Sequence, residues 1–270
     1  MEIAARRWGL KVRHHGIGWG MRAIRARIRP YRLADWHKIV LQFTGARALE
    51  IGGPSSVFDA KGLLPLYSTL TSLDNVQFAS STPWQGSVPD GAPFGAGGAT
   101  GYQWVREAID LAGLGDYDAL LASHVLEHCA NPLQALTEWR RALRPGGLMV
   151  VVTPNPNGMF DHRRPITSLE HLRADRSVRE DDTSHLAEVL QLDDRTLSDD
   201  PSMTRADMEP LWRDNLATRA LHHHVFDASL LELALREADL HPVVIDHVWP
   251  YHTIAIAARD SLAVAADLRS

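Results

Sequence analysis

The run Leu148-Met-Val-Val-Val152 leaves a chain few ways to fold. Five consecutive apolar residues, three of them β-branched, have no polar face. A strand made from them must be covered on both sides, which is the setting of an interior strand in a parallel sheet flanked by helices. Arg47-Ala-Leu-Glu-Ile51, closed by Gly52 and Gly53, and Tyr117-Asp-Ala-Leu-Leu-Ala-Ser123 have the same character. Helix signals separate such runs. Asn131-Pro132 offers a cap followed by proline at the first helical position, Leu133, Leu136, Trp139, Ala142 and Leu143 supply an apolar face, and Pro145-Gly146-Gly147 ends the helix. Asp227 caps a further helix over 227–240, after which "PVVIDHVW" and "TIAIAA" read as two adjacent strands. The alternation predicts a doubly wound α/β fold: a mostly parallel sheet with an antiparallel pair at one edge.

With 270 residues, 45% of them hydrophobic, the chain can bury one large α/β core and carry an insertion. The α/β domain is expected over 46–155 and 222–260, with the charged stretch 156–221 inserted as a lid and the Ser-, Pro- and Gly-rich stretch 80–101 as loop. Residues 1–45 form a basic helical extension. Before Asp35 there are nine basic residues and one acid, Glu2, interleaved with Trp8, Trp19 and several isoleucines. Such a segment either packs its apolar face on its own domain or lies peripherally on an anionic membrane. The net charge of −5 suggests no nucleic-acid partner. A single cysteine, Cys129, excludes an intrachain disulfide and a thiolate metal cluster. With no secretory h-region and no long apolar run, a cytoplasmic location is expected. Oligomeric state stays open.

The stretches "ALEIGG", "DYDALLASHVLEH", "NPLQALTEWRRALRPGGLMVVVTPN" and "HHHVFDASLLELALREADLHPVVI" together resemble the class I S-adenosylmethionine-dependent methyltransferases. The "GGPS" turn is similar to that of methyltransferase-like proteins of bacterial polysaccharide and glycolipid synthesis. The resemblance implies a Rossmann-like fold with a seven-stranded sheet, S-adenosylmethionine as cofactor, and methyl transfer to a hydroxyl of a sugar, glycan or glycolipid. It also implies that Asp74, at or near the end of the second strand, binds the ribose hydroxyls. Glu50, Gly52 and Gly53 would line the methionine and ribose side, Asp110 and Leu111 the adenine, and Ser123 the cofactor pocket. Pro54 departs from the family pattern, standing where a second glycine is usual; it removes an amide donor and fixes φ. A cofactor without a pyrophosphate needs fewer loop amides, so a modified working site is expected. The alternative is a non-catalytic scaffold with the methyltransferase fold, serving a glycan assembly complex.

Fourteen histidines raise a second question. His124 follows the strand 117–123, where open α/β sheets place their ligands, with Glu127 and His128 three and four residues on. This His-x-x-Glu-His pattern is similar to the Glu-x-x-Glu-His metal site of small-RNA 2′-O-methyltransferases and the related site of ubiquinone-pathway O-methyltransferases, with His124 replacing the first Glu. A divalent ion (Mg, Mn or Zn) on Glu127, His128 and His222 is one expectation, further ligands being available among Asp161, His162, Asp182 and His185. Another is a metal-free general base, His124 or one of His223 and His224. Histidines that merely pack are the third.

Overall fold

The apolar runs take the middle of one sheet. The computed structural model describes residues 32–82, 86–179, 182–197, 203–248 and 251–260, together with Val12, Arg13 and Met21. The basic segment over 1–32 therefore lies outside the described residues but for those three and Arg32. Strand β1 (Arg47–Ile51) pairs in parallel with β2 (Ser72–Gln77) on one side and β7 (Tyr117–Ser123) on the other. Beyond β2 lies parallel β6 (Ala99–Val105), and beyond that antiparallel β5 (Pro93–Ala96). Beyond β7 lies parallel β8 (Leu143–Pro154), then β10 (His252–Ala258), antiparallel to both β8 and the edge strand β9 (His241–Val248). A small ladder of β3 (Ser81–Thr82) and β4 (Gly86–Ser87) stands apart. The order β5-β6-β2-β1-β7-β8-β10-β9 reverses direction between β1 and β7, and crevices at such reversals hold ligands in open α/β sheets.

The sheet has eight strands rather than seven, because the stretch expected to be loop over 80–101 is partly strand. Gly97 and Gly98, at φ +57° and +99°, make the two-residue turn between β5 and β6, which only residues tolerant of positive φ can form. Gly101 then lets β6 close on β2: a Cβ there would stand 2.2 Å from the Leu73 carbonyl oxygen.

Alternate residues of each strand face opposite cores. Ala48, Leu121, Val150, Val152 and Ile254 pack with Ile39 and Val40 of α1 (Trp36–Leu41). Leu49, Ile51, Leu120, Met149 and Val151 pack with α2 (Pro132–Ala142) and α7 (Ala228–Glu237). Both caps form as predicted: Asn131 accepts from the Gln134 amide and Asp227 from that of Leu230. Leu143, expected on the helix face, instead begins β8. Segment 156–221 contains the helices α3 (Leu169–Ala174), α4 (Leu186–Leu192), α5 (Arg205–Arg213) and α6 (Asn215–Thr218). It has a small core of its own in Val189, Met208, Trp212, Ala220 and Leu221. Among the described residues no helix is long and apolar enough to cross a membrane.

The turn after β1 is held from below. Gly52 and Gly53 take φ +73° and +69°, and a Cβ on Gly53 would lie 2.2 Å from the Glu50 carboxyl. Glu50 is fully buried and accepts from the Tyr67 hydroxyl at 2.8 Å and the Ser55 amide at 3.2 Å. Burial pushes its pKa up to about 8 against the opposing pull of the Tyr67 hydrogen bond.

Two stability tests follow from this packing. Gly101→Ala is expected to lower the urea unfolding free energy by about 1–3 kcal/mol, because a backbone must move to admit the methyl. Gly115→Ala, where a Cβ meets nothing within 4 Å, is expected to leave it nearly unchanged. Glu50 sets a pH dependence. Its native carboxyl binds a proton more tightly than the unfolded one, so its contribution is full below the unfolded value of 4.5 and is lost as pH rises through about 8. Over that window Glu50→Gln, neutral at every pH, should lose less stability than the wild-type chain in urea titrations run at successive pH values.

Candidate functional site

The carboxyl ends of β1, β2 and β7 open onto one cavity of about 780 Å³. On the sheet side its wall is the turn Gly52–Ser56, then Gln77, Phe78 and Ser123–Val125; across from these stand Phe160, Arg195, Met203, Met208, Arg219 and His222. A recess of about 60 Å³ beside Gln77 and Phe78 is closed by Glu107 and Ala108. Hydrogen bonds stitch the three strand ends together. Gln77 Nε2 donates to the Gly53 carbonyl at 3.0 Å, Asn75 Nδ2 to those of Gly52 and Glu50, and the Ser55 and Ser123 hydroxyls meet at 3.0 Å.

Several residues expected at a cofactor stand elsewhere. Gly52, Gly53 and Ser123 line the cavity, while Glu50 supports the turn from beneath. Asp74 is the third residue of β2, not its last. Its carboxylate accepts from the Tyr117 hydroxyl at 2.7 Å and the Tyr102 amide at 2.9 Å, and pairs with Arg47 at 3.4 Å. Ladder pairing continues past it to Gln77, so the residue presented at the strand end is Gln77. An offset of three in the opposite direction occurs after β6. Asp110 is exposed and caps the Ala112 amide, and Leu111 is buried in the sheet core, whereas Glu107 and Ala108 reach the recess.

The histidine wall begins at His124, in the left-handed region at φ +55°. Its Nε2 lies 3.0 Å from His252 Nδ1, and its Nδ1 lies 3.7 Å from Glu127. Burial, with His252 and His222 nearby, lowers its pKa to about 3, so the imidazole is neutral. Glu127 is 1% exposed, and neither carboxyl oxygen has a hydrogen-bond partner. Burial raises it to about 7, with His222 opposing. His128, whose Nδ1 is also without a partner, packs edge-on to His222 with ring centres 4.4 Å apart. His222 Nδ1 meets Asp161 at 2.6 Å, and one ligand atom from each of Glu127, His128 and His222 lies within 4.8 Å of the others. Burial would raise the Asp161 pKa, but His222 and Arg164 outweigh it and hold the group at about 2.

Of the three candidate bases, only His124 lines the cavity. His223 faces Asn215 at 3.2 Å, and His224 meets Asp175 at 2.9 Å. Among the further ligand candidates, Asp161 reaches His222, His162 lies beside Asp194, and Asp182 caps Ser184. Arg164, which sequence reasoning missed, is buried and donates to Asp161, to Glu188 and to the carbonyls of His222 and His223. The adjacent "FDHRRP" basic pair was its only signal.

The chain is similar to the ubiquinone biosynthesis O-methyltransferase of Caulobacter sp. (strain K31), 32% identical over 113 residues, 42% of each chain. It is also similar to that of Cereibacter sphaeroides (strain ATCC 17025 / ATH 2.4.3), 51% identical over 51 residues, 18% of this chain and 21% of that protein. The matched stretches span less than half the length of these curated relatives. Among solved structures, an S-adenosylmethionine-dependent methyltransferase from Mesorhizobium loti gives a TM-score of 0.45 at 13% identity, covering 83% of this chain and 96% of that one. Residues 24–244, most of the sequence, match the methyltransferase-domain family, and the chain belongs to that family.

Proposed function

We propose that the protein is an S-adenosylmethionine-dependent O-methyltransferase, with the cofactor at the ends of β1, β2 and β7 and a hydroxyl acceptor against the histidine wall. S-Adenosylmethionine would supply an electrophilic methyl on its sulfonium. Gly52, Gly53, Gln77, Phe78 and Ser123 would hold it, and the recess at Glu107 and Ala108 would take its base. Segment 156–221 serves as the lid, since Phe160, Arg195, Met203 and Met208 close the cavity from that side.

The observation that carries the choice of oxygen as acceptor is Glu127, a buried carboxyl with two unbonded oxygens beside His128 and His222. An unpartnered buried carboxylate is costly, and a divalent ion removes that cost. Imidazole and carboxylate donors suit such an ion, and Asp161 on His222 Nδ1 leaves Nε2 to face it, the usual arrangement around a ligating histidine. An ion there would acidify an acceptor hydroxyl. His124, which burial holds at a pKa of about 3 and so keeps neutral, would be a weak acceptor for the hydroxyl proton. The raised pKa of Glu127 supports a second reading in which Glu127, free of metal, takes the proton.

Phe160, Met203 and Met208, which share their wall with Arg195, Arg219 and His222, would pack on an apolar ring bearing the hydroxyl, and the relatives named for ubiquinone biosynthesis support a phenol. The Gly-Gly-Pro-Ser turn is the one feature pointing to a sugar. For a lipid-borne acceptor, the basic segment 1–32 would bring the protein to an anionic membrane.

Calorimetric titration with S-adenosylhomocysteine is expected to show binding that Gln77→Ala weakens about five- to tenfold and Asp110→Ala does not change. No binding of either cofactor form would leave the scaffold reading. On a panel of phenolic and sugar acceptors, phenols are expected to turn over faster. A chelator should abolish that turnover and Mg²⁺, Mn²⁺ or Zn²⁺ restore it, with Glu127→Gln and His128→Ala slowing it at least about a hundredfold while cofactor affinity persists. Full turnover in chelator with an inactive Glu127→Gln would favour Glu127 as proton acceptor; normal variants would leave both residues structural.

A further inference from the structure

Behind the cavity wall lies a second convergence of ligating side chains. His171 and Asp175, one helical turn apart at α3, face His185 at the start of α4 and His224 from the stretch leading to α7. His171 Nε2 is 2.9 Å from His185 Nε2 and 3.1 Å from Asp175 Oδ2, which in turn is 2.9 Å from His224 Nε2. One ligand atom from each of the four lies within 4.8 Å of all the others. The three imidazole rings surround that point, with centroids 5.0, 5.1 and 5.8 Å apart.

We propose that His171, Asp175, His185 and His224 form a structural zinc site that ties the lid helices to the chain entering α7. A tetrahedral zinc with bonds of about 2.0–2.1 Å separates its ligand atoms by roughly 3.3 Å, near the 2.9, 3.1 and 2.9 Å of the three contacts above, and the remaining pairs stay within 4.8 Å. Hydrogen bonding alone is a poor account of this convergence. It asks the single Nε2 of His171, which carries one proton or one lone pair, to serve both Asp175 and His185; a cation at the centre engages all four ligand atoms. All four positions being protein ligands makes the site closed, so its role is cross-linking and not chemistry. His171 is exposed at its rim and gives an entry path, and Ser184 Oγ, 3.2 Å from His185 Nδ1, orients that ring so that Nε2 faces inward. The ligands come from three separated stretches of chain, so the metal closes a short loop over 175–185 and a long one over 185–224. The site shares no residue with Glu127, His128 and His222 and does not depend on their reading.

The test is metal content of the full chain after zinc loading and desalting, measured by inductively coupled plasma mass spectrometry, with cobalt substitution as a spectroscopic check. His171→Ala, at an exposed position that the fold tolerates, and Asp175→Asn, which keeps the shape, are each expected to bind one equivalent less zinc than the wild-type chain. Both should also lose the intense visible bands of tetrahedral cobalt. His128→Ala should retain both the lid zinc and those bands. Chelation should lower the melting temperature of the wild-type chain and of His128→Ala by more than that of His171→Ala, which has only the cavity site left to lose. Equal zinc content in wild type, His171→Ala and Asp175→Asn, all folded by circular dichroism, would overturn the proposal. Loss of zinc in His128→Ala alone would also overturn it, while supporting the cavity site.

Discussion

The carboxyl of Glu50, sealed beneath Gly53, is the fixed point from which the sheet side of the cavity is built. Because a Cβ at Gly53 would collide with it, the turn can pass over the carboxyl only as glycine, and because Tyr67 and Ser55 both bond to it, the turn cannot lift away. This gives Pro54 a rationale. The Ser55 amide is already spent on Glu50 and on the Tyr67 hydroxyl at 2.6 Å, and Pro54 has no amide, so this part of the turn offers nothing to a phosphate. A loop that cradled pyrophosphate would need those donors. A loop that only shapes a wall does not.

The opposite wall is organised by charge. Arg164 is buried where an unpaired guanidinium would be prohibitive, and it is satisfied by two carboxylates and two backbone carbonyls. Those carbonyls belong to His222 and His223, so the cation fixes the path of the histidine run and, through Asp161, the orientation of the His222 ring. Lysine, a point charge without the planar fork, could not bridge the same four acceptors.

Much of the sheet was legible in the sequence because runs such as Leu148–Val152 admit only a doubly covered strand, and both helix caps were legible because Asn131 and Asp227 act locally. The ends of strands were not. Asp74 reads as lying at or near the end of its strand, where the resemblance implies a ribose-binding acid, yet Tyr117 and Tyr102, distant in sequence, satisfy its carboxylate inside the sheet and let pairing run on to Gln77. The hairpin of β5 and β6 was hidden in a composition that usually means loop. The nearness of Glu127 and His128 could be anticipated from spacing and a partner sought among His222, His223 and His224, but the divergence of those three to different partners could not, since it depends on Asp161, Asn215 and Asp175, which the fold brings in from elsewhere.

The cavity is bounded by surfaces that belong to separate cores. The sheet-side wall rests on the two strand-and-helix cores, whereas Met208 is anchored in the small cluster of Val189, Trp212, Ala220 and Leu221. Substitutions in that cluster can therefore remodel the surface opposite the strand ends without disturbing the packing beneath Gly52, Gln77 or Ser123. Under the proposed reading the molecule is modular in evolutionary terms: acceptor preference would be free to drift along one lineage of mutations while the cofactor-holding strand ends are inherited unchanged.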